Sequence, residues 1–74
     1  MATIVNLNAQ VGIGTTSPAA SSILDVTSTT RGVLVPRMTA TQRGAIGTPA
    51  EGLMVYQTDA AIGLWMYIGG AWTR

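Results

Sequence analysis

This chain of 74 residues contains no cysteine, no histidine, no phenylalanine and no lysine, and only seven of its side chains carry charge. Without cysteine there is no disulfide framework, and without cysteine or histidine the usual zinc and haem ligand sets are excluded. No serine or threonine nucleophile has a histidine base to activate it. Three acids remain, Asp25, Glu51 and Asp59. A glycosidase needs two carboxylates flanking one bond, whereas Glu51 and Asp59 sit beside turn-forming residues. The expectation is therefore no enzyme, no catalytic residue, no cofactor and no metal.

Charge is scarce as well. Charged residues make up 9% of the chain against about 25% in ordinary globular proteins, while the apolar share is 47%. The formal net charge of +1 produces no broad basic field, so nucleic acid is not an expected partner. No apolar run reaches the eighteen or so residues of a membrane span. Met1–Asn6 has neither a basic region nor a long apolar core, and is not read as a signal peptide.

A chain this short buries too little apolar surface to offset comfortably the entropy of ordering it. With disulfides and metal sites excluded, self-association is the remaining common staple. The low charge agrees, because a lone small domain needs charged surface for solubility. All four basic residues are arginine, the side chain suited to planar stacks and interface ion pairs.

Several strands can be read in order. Residues 3–7 alternate loosely, as a short strand or arm, with Asn6 and Asn8 disfavouring a long one. Gly12-Ile13-Gly14 lacks the third glycine or Gly-Lys-Ser/Thr of a phosphate loop, so its glycines are expected to bend the backbone or admit close chain approach. Ile23-Leu24-Asp25-Val26 is a second strand candidate between Ser/Thr-rich connections. Asp25, the only acid among apolar residues, is expected to pair with Arg31 or Arg37, across chains in an assembly. Val33-Leu34-Val35 favours a buried strand that ends at Pro36 or lies at a sheet edge. Thr39 and Gln42 stand in the capping-box relation, which predicts a short helix near 39–46, ended by Gly47.

The last third reads as an antiparallel β-meander. Leu53–Gln57 and Gly63–Ile68 are strands, and Gly69-Gly70 is a two-residue hairpin signal leading into Ala71-Trp72-Thr73. Alternation places Trp65 and Tyr67 on one side and Leu64, Met66 and Ile68 on the other, so both faces are apolar. One face then packs within the chain and the other against a neighbour. Trp65, Tyr67 and Trp72 are expected to form core, with ligand contact to a sugar or protein surface as the sharper alternative. Arg37 and Arg43 are read as intersubunit ion pairs or backbone caps.

The central run T-T-R-G-V-L-V-P-R-M-T-A-T-Q-R-G-A-I, followed by P-A-E-G-L-M-V-Y-Q-T-D and a Trp/Gly-rich ending, resembles a module of phage tail-fibre and head-fibre proteins that also occurs in bacterial surface proteins. V-G-I-G-T-T-S-P and I-L-D-V resemble the segment that precedes it. The resemblance implies a β-rich, trimeric structural or attachment protein of a virion, assembled in the host cytoplasm and exposed outside it. It implies no functional residues by position.

The expected fold is thus mainly β: a small intertwined homotrimer with short strands, one short helix and a C-terminal meander. Residues 1–28 form an extended, fibre-like assembly segment and 29–74 a compact β-rich module. Ile23, Leu24, Val26, Val33, Val35, Leu64, Met66 and Ile68 are the expected oligomer interface. The expected partners are further copies of the chain, other virion proteins and, for an attachment tip, a host glycan or receptor. The expected function is a non-enzymatic trimeric fibre module, with a receptor-binding tip or a capsid decoration protein as alternatives.

Overall fold

The computed structural model describes residues 9–74 in full and the backbone of residues 4–7. The reading of the first three residues, and of Asn8, lies outside the described residues. The chain divides into two compact units, Met1–Gly32 and Val33–Arg74. Each unit holds one small sheet, so the protein is mainly β.

The first sheet has strand order β1-β2-β3, with β1 Ile4–Leu7, β2 Gln10–Ile13 and β3 Leu24–Val26. β1 and β2 are antiparallel, whereas β3 joins β2 in parallel. Val11-Gly12-Ile13 is therefore strand, not a glycine bend. The reason lies in the loop that follows. A Cβ on Gly12 would come within 2.7 Å of the Thr15 carbonyl oxygen and 2.9 Å of Pro18 Cγ, and one on Gly14 within 2.1 Å of the Thr27 carbonyl oxygen. The glycines admit the chain's own backbone, as close approach requires.

Polar side chains hold that loop down. Gln10 Nε2 donates to the carbonyls of Ala19 and Ser22, each at 2.7 Å. The Ala19 N–H donates to Asp25 Oδ2 at 2.8 Å.

The second sheet has strand order β4-β5-β6-β7, with β4 Arg37–Met38, β5 Met54–Gln57, β6 Gly63–Ile68 and β7 Ala71–Thr73. The meander β5-β6-β7 is antiparallel. It turns at Gly69-Gly70, where both residues hold positive φ. β4 adds to β5 in parallel.

Two expectations need correction here. Residues 33–35 are not in a strand; the ladder starts after them, with the Pro36 carbonyl accepting from Tyr56 N–H at 2.8 Å. Proline lacks a donor but keeps its carbonyl, so it fits the beginning of a strand as well as an end. The helix α1 spans Ala40–Gly44 and closes on Ala45 in right-handed conformation, before Gly47. Tight backbone bonds from Ala45 N–H to the carbonyls of Thr41 and Gln42 finish it, so no left-handed glycine is needed.

The start of α1 is as expected. Gln42 N–H donates to Thr39 Oγ1 at 3.2 Å, and Thr39 N–H to Gln42 Oε1 at 2.9 Å. Asp59 Oδ1 accepts the Ala40 N–H at 2.7 Å, which ties the helix to the loop after β5. α1 packs against β5.

Candidate assembly faces

Register sorts the second sheet into two faces. Val55 pairs with Trp65, Tyr67 with Trp72, and Met38 with Gln57, so these residues share the side that carries α1. Met54 pairs with Met66, Tyr56 with Leu64 and with Arg37, and Ile68 with Ala71. Those residues share the opposite side.

The helix side is a packed polar-aromatic cluster. Val55 is 2% exposed and Gln57 1%, and Val55 is the one fully buried apolar side chain among the described residues. Gln57 accepts from Arg43 Nε and donates to the carbonyls of Asp59 at 3.0 Å and Ala61 at 3.1 Å. Trp65 Nε1 donates to the same Ala61 carbonyl at 2.9 Å. The Arg43 guanidinium lies 4.3 Å from the Trp65 ring centre and 5.4 Å from that of Trp72. Tyr67 meets Trp72 edge-on, with 5.4 Å between ring centres.

Trp65, Tyr67 and Trp72 are thus brought together and half-buried within their own unit. Arg43 was read as an ion-pair or capping residue; its side chain turns inward onto the tryptophans instead. Gln57 was missed. The signal was an amide at an inward position of a β-strand, which must find buried partners.

The other side has no cover from its own unit. Leu64 is 49% exposed, Ile68 48%, Met54 41% and Tyr56 38%, with Met66 half-buried among them. Arg37, the one charged residue in this register, is exposed at the β4 margin. Val33 and Leu34 are more exposed still, and Val35 is half-buried. A shallow recess lies against Leu34, Val35, Pro36, Arg37 and Thr58.

The three carboxylates all accept backbone N–H groups. Asp25 takes Ala19, Glu51 takes Gly69 at 3.0 Å, and Asp59 takes Ala40. Such charge-assisted bonds to N–H groups fix turns and strand ends. Arg31 is exposed near the end of the first unit, where its N–H donates to Ser28 Oγ at 2.9 Å. Among the described residues no group of three acids gathers as a metal site would require, and no helix is long and apolar enough to cross a membrane.

The second unit is thus a small β module with one face packed by its own helix and the other apolar and open, an arrangement that marks an interaction surface. The model of one family, the phage tail like trimerisation region, matches residues 12–74, and the chain belongs to that family. No curated protein and no solved structure matches it.

Proposed function

We propose that this chain is a non-enzymatic structural module of a phage fibre, in which three copies close around a common apolar interior. The observation that carries this reading is the open face of the second sheet, with Met54, Tyr56, Leu64, Met66 and Ile68 in register and exposed or half-exposed. Exposed apolar surface arranged this way marks an interaction site. The family match, to a trimerisation region, supports further copies of this chain as the occupant. Folding and assembly are then coupled, because each copy completes its neighbours' core.

The extended apolar residues Val33 and Val35 are part of the same covered surface in this reading. The module has its place on the virion, assembled in the host and carried outside it. No observation favours host attachment through the aromatics, since Trp65, Tyr67 and Trp72 are engaged with Arg43 and with one another.

The test is substitution on the open face. Leu64→Asp and Met66→Asp place a carboxylate in the shared interior and are expected to abolish both assembly and folding, read by size exclusion and far-UV circular dichroism. A soluble, folded monomer from either variant contradicts the reading.

A further inference from the structure

The order β4-β5-β6-β7 leaves β4 at one margin of the second sheet. Its inner side is taken: the carbonyls of Pro36 and Met38 accept from the N–H groups of Tyr56 and Thr58, at 2.8 and 2.9 Å. Along a strand successive residues present their backbone groups to opposite sides, so the N–H and carbonyl of Arg37 point outward. No backbone bond reaches Val33, Leu34 or Val35 among the described residues, and the unpaired edge continues upstream through them. Pro36 does not interrupt it, because the N–H that proline lacks belongs to the inner side. Beside this edge lies the recess formed by Leu34, Val35, Pro36, Arg37 and Thr58. Leu34 is 76% exposed. Arg43 and Arg74 donate to Gln57 and to the Ile62 carbonyl, whereas the Arg37 guanidinium is exposed and meets no acceptor among the described residues.

The geometry points to a peptide-docking edge: an extended segment of a different polypeptide, with a carboxylate next to apolar residues, adds to β4 as a further strand. Three features select that occupant. The unpaired main-chain groups of a sheet edge are satisfied by another extended main chain. The apolar recess takes an apolar side chain, and the free guanidinium beside it takes a carboxylate. A further copy of this chain is the poorer match, since each of its three carboxylates already holds a backbone N–H of its own unit. The inference goes beyond the trimeric reading, which uses the side chains of Val33 and Val35 and leaves the main-chain edge free. An extended chain can give its side chains to one contact and its backbone edge to another.

The test uses the full chain, isotopically labelled, and two synthetic peptides of about eight residues, an ordinary strand length. Both alternate threonine and valine; one has a central aspartate and the other a central lysine. The aspartate peptide is expected to shift the Val35 and Arg37 amide resonances, to slow their hydrogen exchange, and to bind about fivefold tighter than the lysine peptide. Arg37→Glu is expected to reverse that preference. The comparison on the parent chain needs no variant, so it decides the matter whether or not Arg37→Glu folds. Val35 and Arg37 amides already protected without peptide would mean that a copy of the chain fills the edge, and would overturn the inference. Two peptides that bind the parent equally or not at all also overturn it, as do shifts that fall along β7 instead. None of these results bears on the trimeric reading, which is tested by the mass of the chain alone.

Discussion

The guanidinium carbon of Arg43 stands 4.3 Å above the centre of the Trp65 ring, while its Nε–H is donated to Gln57, the most deeply buried side chain of the second unit. One residue of a five-residue helix thus holds both the aromatic cluster and the fully buried amide of Gln57. Arg43→Ala removes a desolvated cation–π contact and leaves the Gln57 oxygen without its donor. The expected loss is about 2–3 kcal/mol, read from chemical denaturation at fixed protein concentration. Arg43→Lys restores only part of it, because an ammonium cannot stack as a plane and donate through Nε together. An Arg43→Ala melt superimposable on the parent's would show that the cluster stands without the arginine.

Gly14 makes a second prediction. Its φ is +77°, and a Cβ there would sit 2.1 Å from the Thr27 carbonyl oxygen, a backbone atom that cannot swing aside. Gly14→Ala therefore adds left-handed strain to a clash, at a cost of more than about 2 kcal/mol. The Thr27 N–H, which donates to Ile13 at 2.9 Å, is expected to lose protection from hydrogen exchange first. Unchanged protection at Thr27 would mean that β3 does not depend on the glycine.

What the residues disclosed in advance, and what they concealed, follows from how local each signal is. The meander was legible because alternation and Gly69-Gly70 act over a few neighbouring residues. The Thr39–Gln42 capping box was legible for the same reason. Val33-Leu34-Val35 misled because β-branched residues favour extended backbone whether or not a partner strand lies alongside. The parallel joins of β3 to β2 and β4 to β5 are non-local, and nothing in either segment announces its neighbour. Val11-Gly12-Ile13 was hidden by its glycine, whose purpose is visible only once Thr15 and Pro18 are seen to crowd it. The face that holds Leu64, Met66 and Ile68 was readable from alternation, yet which side the helix would take was not, since the inward-facing residue of α1 is a charged one.

Ala60 holds φ +54°, in a region that costs an L-residue about 1–2 kcal/mol. Ala60→Gly relieves the strain and loosens the unfolded chain, so the net gain expected is about 0.5–1 kcal/mol. Ala9, at φ +66° in the turn between β1 and β2, behaves likewise. Each is checked by a rise in the denaturation midpoint at constant slope. A fall in either midpoint would contradict the strain argument at that site.

Thr39→Ala deletes the Oγ1 acceptor for Gln42 N–H and disturbs the reciprocal bond from Gln42. A loss of about 1 kcal/mol is expected. Thr39→Ser, which keeps the acceptor, should retain most of the parent's stability in the same melt. Equal losses in both variants would place the effect in packing of the threonine methyl, outside the cap.

One quantity bears most directly on the claim that a single copy is incomplete: the mass of the unaltered chain in dilute solution, by light scattering on a size-exclusion column. The account predicts three times 7.7 kDa, with a melting temperature that climbs as protein concentration is raised. A particle of 7.7 kDa that melts cooperatively, at a temperature indifferent to dilution, would contradict it.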